Sequence, residues 1–268
     1  DRRLFMSRMT AIAGSVAAAE ALIAGVAASP VAAAVVPADD RRLTTRVMTF
    51  DSPAGYKAYV AEPRTRSLKT TVLVVHENRG LNDHIRDVAR RLAVAGYRAV
   101  APDFLSPAGG TPANEDQARD LIGKLDLAAS TQAGVAMLRE LEKSSLGGKV
   151  GAVGFCWGGA YVNRLAVAAG SALDAGVVYY GPAPDASEAT KVEAPLLIHL
   201  AGLDDRVAQT AFPWVSALRA AGKAVTYQSY EGVNHAFNND TSAERYNKPA
   251  ADLAWKRTLA FFKRKLRA

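Results

Sequence analysis

The one cysteine of the chain, Cys156, stands in "KVGAVGFCWGGAYVNRLAV", with Gly154 before it and Gly158 and Gly159 after it. A short apolar run ends just before the sulfur and a helix-forming run opens at Trp157, so Cys156 is expected at the apex of a sharp strand-to-helix turn. A residue forced into that turn takes a strained backbone, and the neighbours two before and two after crowd it. Glycine at 154 and 158 is what those sterics demand. The pattern G-x-C-x-G is therefore a nucleophile elbow with sulfur in place of the usual serine oxygen, and the start of a helix beside the sulfur favours thiolate. The competing reading is a buried cysteine acting as a small hydrophobe, against which strand, glycines and helix stand together. A phosphate-binding loop is excluded, because neither Lys nor Ser/Thr follows the glycines.

A thiol nucleophile needs a base, and the base needs an orienting acid. In an elbow fold they follow in the order nucleophile, acid, base, each in a loop after a later strand. After "PLLIHLAG" comes "LDDRV", and after "AVTYQSY" comes "EGVNHAFNND". Asp204 and His235 are the natural partners, with Asp205 a one-residue competitor for Asp204. Of the other histidines, His199 lies within an apolar strand and reads as a core residue, whereas His235 sits in a Gly/Asn loop where packing has little claim on it.

The stretch "VVHENRGLNDHIRD" follows the first central strand. In this architecture that loop supplies one backbone N–H of an oxyanion hole and the residue after the nucleophile supplies the other, which nominates the amides of Asn78 and Trp157. Glu77 stands at the strand end, within reach of the sulfur. His76, Glu77 and His84 raise the question of a metal, but the spacing is not H-E-x-x-H and no second acidic ligand has a place. No metal and no organic cofactor is expected.

The elements that must hold these residues read as an alternation. "RLTTRVMTF" and "YKAYVAE" form an antiparallel pair across "DSPAG". "TTVLVVH" is a strand buried on both faces, followed by the helical "NDHIRDVARRLAVAG" behind an Asn/Asp cap. "YRAVAP", "KVGAVGF", "DAGVVYYG", "PLLIHLAG" and "AVTYQSY" are further strands. Residues 114–143, "WGGAYVNRLAVAA", 208–221 and 250–266 are helical. Strands separated by helices need crossover connections, so the chain is expected to be α/β, a mostly parallel sheet covered on both faces with an antiparallel N-terminal edge. No internal repeat or linker divides it. Residues 41–268 form one domain behind a tail over residues 1–40.

Composition agrees with a globular chain: 49% of its 268 residues are hydrophobic and 22% charged. The net charge of +7 is mostly terminal. "KRTLAFFKRKLRA" carries six basic residues and no acid, and the first ten residues carry three arginines against one aspartate, leaving the rest near neutrality. That excludes a nucleic-acid groove and reads as a solvated helix face. One cysteine cannot form an internal disulfide. The N-terminal "DRRLFMSRMTAIAGSVAAAEALIAGVAASPVAAAVVP" has paired arginines, an Ala-rich run and a small-residue stretch, the pattern of a twin-arginine export signal with cleavage after Ala34. It is too poor in Leu, Ile and Phe for stable membrane insertion. Export to the periplasm is expected, with a cytoplasmic location if the tail is not a signal. A homo-oligomer is compatible with the chain.

"HENRGLNDHIRDVARRLAVAGYRAVAPDFL", "GAVGFCWGG", "AGLDDRV" and "EGVNHAFNND" together resemble the dienelactone hydrolase (carboxymethylenebutenolidase) family of α/β-hydrolases, over about residues 44–266. The resemblance implies a Cys156, Asp204, His235 triad, with Asp204 rather than Asp205 on the acid position. It implies that Glu77 accepts the thiol proton when substrate binds, and that an ester or lactone carbonyl gives an acyl-enzyme hydrolysed by water with His235. The family's carboxylate-gripping arginines do not have counterparts here: Pro107 and Asn239 stand where they would be sought, so the dienelactone itself is not the expected substrate. The loop "SPAGGTPANEDQ" is expected to border the pocket. Two other classes remain open on the residues alone: a thiol redox or sensor protein using Cys156, which would need a second molecule for lack of a resolving cysteine, and an exported binding protein without catalysis.

Overall fold

Eight strands build one sheet in the order β1-β2-β4-β3-β5-β6-β7-β8: β1 (Leu43–Thr49), β2 (Lys57–Pro63), β3 (Thr71–Val75), β4 (Arg98–Pro102), β5 (Val150–Phe155), β6 (Ala175–Tyr179), β7 (Leu196–Ala201) and β8 (Val225–Tyr230). The computed structural model describes residues 35–52, 54–65, 70–145 and 148–266. The signal-like segment and the cleavage position after Ala34 lie outside the described residues. β1 pairs antiparallel with β2 and β2 antiparallel with β4, and every pairing from β4 through β3 to β8 is parallel. This is the expected mostly parallel sheet with an antiparallel N-terminal edge.

Every residue of β3, β5, β6 and β7 is buried, as strands covered on both faces require. The edge strands β1 and β8 instead expose part of their length. Leu73, Val75, Val150 and Ala152 join one apolar cluster with Leu138 and Leu141 on one side of the sheet. The intervening Gly151 faces the other side, where an added Cβ would lie 2.6 Å from Leu266 and 3.1 Å from Phe262.

The described residues also hold six α-helices: α1 (Asp83–Val94), α2 (Glu115–Gly123), α3 (Leu127–Ser144), α4 (Trp157–Ala168), α5 (Asp205–Ala220) and α6 (Lys248–Leu266). None is long and apolar enough to cross a membrane. Residues 114–143, expected to be helical, hold two helices with a break between them. Asn114 caps α2 through the amides of Asp116 and Gln117, and Asp126 caps α3 through those of Ala128 and Ala129, so a second N-terminus interrupts the run after Gly123. α5 opens at Asp205 rather than 208, because the Asp204 side chain accepts from the Val207 amide and starts the helix there.

The compact unit begins at Val35. Val36 is buried, its amide donating to Asp87 Oδ1 at 2.6 Å and its carbonyl accepting from Arg90 Nε at 2.6 Å. Asp87 in turn pairs with Arg91, and Arg91 with Asp240. This chain of charges fastens α1 to the segment that follows residue 235.

The order of strands decides where chemistry can sit. From β3 the chain moves outward to β4 and then returns to β5 on the opposite side of β3. The carboxyl ends of β3 and β5 therefore flank the point where the winding reverses, and the loops leaving them diverge to open a crevice.

Candidate active site

Glu77 follows β3, Cys156 follows β5, Asp204 follows β7 and His235 follows β8, so four separate loops leave the carboxyl end of the sheet. Cys156 has φ 55° and ψ −114°, a left-handed backbone that a β-carbon strongly disfavours. Its amide donates to the Tyr179 carbonyl at 3.0 Å, which helps hold the strained turn. A Cβ on Gly154 would lie 2.0 Å from the Gly158 carbonyl oxygen, and one on Gly158 would lie 2.4 Å from that of Val75. The elbow therefore passes so close to β3 and to itself that only glycine fits at both positions.

Burial pushes the Cys156 thiol up to about 11, and the negative charge of Glu77 adds to that effect. The amide of Trp157, the guanidinium of Arg206 and the amide of Asn78 act the other way. The helix N-terminus was expected to favour thiolate, and its amides do so, but burial and Glu77 outweigh them. The resting sulfur is a neutral thiol near pH 7. The two amides facing it are those of Asn78 and Trp157, the pair nominated for an oxyanion hole.

Asp204 uses both carboxylate oxygens. Oδ1 accepts from the Val207 amide at 3.2 Å as the cap of α5, and Oδ2 lies 2.5 Å from His235 Nδ1. A carboxylate there accepts the Nδ1 proton, which leaves the lone pair on Nε2, the tautomer a general base requires. Asp205 is exposed in the first turn of α5 and does not reach the imidazole-facing position. The ring of His235 packs against Tyr180, centroids 5.0 Å apart, and the next residue, Ala236, has φ 66°.

Glu77 is buried and held from two sides. Tyr180 Oη donates to its Oε1 at 3.2 Å and Asn239 Nδ2 to its Oε2 at 2.7 Å. Neither partner was picked out from the sequence as a contact of Glu77. Tyr180 stands directly after β6 with φ 40°, and its position at the same carboxyl end of the sheet, before Gly181, was the available signal. Asn239 stands at the place of a missing arginine, and its amide donates to Glu77 instead.

Cys156, Glu77, Asn78 and His235 line one cavity of about 510 Å³, with Arg79, Arg119, Arg206 and Arg245 around its rim. Glu115 and Arg119 of α2 line it too, so the segment after Ser106 does border the site. Its path is fixed by Asp103, which accepts from the Thr111 amide at 2.7 Å and the Thr111 hydroxyl at 2.8 Å, while Thr111 Oγ1 accepts from Leu81. Pro107 is exposed in a short 3-10 turn away from the cavity lining. A larger groove of about 1000 Å³ runs between α3 and α4 but contains none of the residues above, so volume does not mark the reactive site here.

The remaining histidines are engaged elsewhere. His199 is buried between the hydroxyls of Tyr230 and Thr258, 2.9 and 3.1 Å from its ring nitrogens, and burial lowers its pKa to about 3. It is a core residue, as its strand position suggests. His84 binds Asp240 at 3.0 Å, and His76 binds backbone on either side. His76, Glu77 and His84 thus serve different partners, and among the described residues no group of three His, Cys, Asp or Glu is placed to hold a metal.

Residues 56–266 match the dienelactone hydrolase family. A protein of Methylorubrum extorquens named "Putative carboxymethylenebutenolidase" is 32% identical over 277 residues, covering 96% of this chain and 93% of its own. A protein of the same name from Escherichia coli K12 is 31% identical, covering 88% of this chain and 93% of its own. Among solved structures, a "Putative Dienelactone Hydrolase" from Klebsiella pneumoniae superposes with a TM-score of 0.73 at 28% identity, over 82% of this chain and 98% of that one.

Proposed function

The chain belongs to the dienelactone hydrolase family, an ester or lactone hydrolase by that membership, and from this premise we propose that it works through Cys156 as a nucleophile by way of an acyl-enzyme. The observation that carries the reading is the convergence of a neutral thiol, a buried carboxylate and an Asp-oriented imidazole on one cavity.

With a small ester or lactone in the cavity, the thiol proton passes to Glu77 and the sulfur adds to the carbonyl carbon. The carbonyl oxygen becomes an oxyanion between the amides of Asn78 and Trp157, backbone donors of the kind that need no reorganisation as charge develops. The carbon–oxygen bond to the leaving group then breaks. The departing oxygen takes the proton held by the Glu77 carboxyl, which restores the carboxylate. A water molecule next gives a proton to His235 Nε2 and attacks the thioester, while Asp204 balances the imidazolium. The carbon–sulfur bond breaks, the acid leaves, and the sulfur recovers its proton from His235. Keeping the thiol protonated until substrate arrives protects it from adventitious oxidation and alkylation, since thiolate is the reactive form.

The test is turnover of nitrophenyl acetate and of a panel of small lactones by the wild type and Cys156→Ala, with intact-mass measurement after acid quench. The wild type should trap one acetyl group and the variant none. Wild-type turnover in the alanine variant would remove the mechanism.

A further inference from the structure

The imidazole of His76 takes no part in the steps above, yet it is fully buried and touches both sides of the oxyanion hole. Its Nδ1 lies 2.7 Å from the carbonyl oxygen of Glu77, and its Nε2 lies 3.2 Å from the amide nitrogen of Phe104. A carbonyl only accepts and an amide N–H only donates, so these partners dictate a ring with its proton on Nδ1 and its lone pair on Nε2. Burial pushes the pKa of the ring down and keeps it in that neutral form. The ring also stacks on the indole of Trp157, centroids 5.3 Å apart and planes 16° apart, with Phe104 closing the edge at 5.6 Å.

The Glu77 carbonyl and the Asn78 N–H belong to one planar peptide group. Anchoring the oxygen therefore fixes the direction of the N–H on its far side, and a hydrogen bond accepted at the oxygen polarises that N–H further. Trp157, whose amide is the second donor, is steadied by the same ring through its side chain. We infer that His76 is a positioning residue of the oxyanion hole: its Nδ1–H holds the Glu77–Asn78 peptide and its face holds Trp157, so that both amides converge on the carbonyl oxygen of the substrate. The inference rests on the acyl-transfer reading above and adds to it a side chain that never touches substrate.

Three substitutions separate packing from hydrogen bonding. His76→Phe keeps the stacked ring and removes the donor. His76→Asn places an amide N–H near the position of Nδ1, and His76→Gln places its polar end near that of Nε2. Loss of one oxyanion-hole donor lowers kcat by about 100-fold or more, so His76→Phe should lower kcat by about that factor with KM within about threefold of wild type. Alkylation of Cys156 by iodoacetamide develops no oxyanion and feels the two amides only through the thiolate, so it should fall by less than kcat does, and His76→Asn should recover to within about tenfold of wild type. Wild-type kcat in His76→Phe, a loss confined to KM, or recovery by Gln that equals or exceeds that by Asn would overturn the inference. Should the Phe variant fail to melt cooperatively, the Asn and Gln pair decides. Turnover by Cys156→Ala would instead sink the underlying mechanism, so the two failures are distinct.

Discussion

Asn239 Nδ2 donates to Glu77 Oε2 at 2.7 Å, joining the loop after β8 to the loop after β3 across the floor of the cavity. Position 239 is where an arginine that grips a substrate carboxylate would be sought. The residue found there is turned inward instead, and it orients the carboxylate proposed to take the thiol proton without neutralising it. Cations at the cavity come from Arg79, Arg119, Arg206 and Arg245, on other elements.

Removing that donation leaves a buried carboxylate oxygen without its partner. A hydrogen bond to a charged group is worth about 1.5–3 kcal/mol, so Asn239→Ala should lower kcat by about tenfold to a hundredfold. Tyr180→Phe removes the longer contact at 3.2 Å and should do less. Steady-state kinetics of both variants check this; equal and negligible losses would mean that Glu77 needs neither partner.

The thiol, pushed up to about 11 chiefly by burial and then by Glu77, makes a prediction for pH. Its alkylation rate should still be climbing above pH 10, where an ordinary cysteine has levelled off. Glu77→Gln removes a negative charge that opposes ionisation, so the midpoint of the variant should move down. Rates of iodoacetamide reaction between pH 6 and pH 11 read both midpoints, and a variant curve shifted upward would contradict the assigned electrostatics.

Asp204 caps α5 with one oxygen and holds His235 with the other. Asparagine caps helices about as well as aspartate, so Asp204→Asn should leave thermal stability nearly intact while placing the wrong tautomer on His235. Loss of about 10³ to 10⁴ in kcat is expected by analogy with other triads. Asp205→Asn, on an exposed residue, should stay within about threefold. Similar losses in the two variants would undo the assignment of Asp204.

Burial raises the Asp240 carboxyl, but the hydrogen bonds from His84 and Arg91 override this and bring it down to about 2. Because its folded value is depressed, the stability it contributes is present above its unfolded value near 4 and is lost as pH falls toward 2. The gap in urea midpoint between wild type and Asp240→Asn should therefore be widest above pH 4 and narrow steadily down to pH 2. A gap that is constant over that range would show that the carboxylate's charge does not stabilise the fold.

Much of this was determined by local sequence. Glycines flanking Cys156, apolar runs of strand length and the chain order of Cys156, Asp204 and His235 each follow from short-range sterics and periodicity, which act between residues near in sequence. Those same forces set the elbow and the alternation of strand and helix. They leave the break inside 114–143 unmarked because a run of helix-forming residues hides the N-cap at Asp126, and they place the start of α5 late because the Asp204 that serves the site is also its cap. What only tertiary structure decided is what depends on groups distant in sequence meeting in a low-dielectric interior. Tyr180 and Asn239 close on Glu77 from two later loops, His76 reaches Trp157 from the neighbouring strand, and burial with Glu77 overcomes the helix amides at the sulfur. Each is a balance between desolvation and a partner whose position no spacing rule encodes.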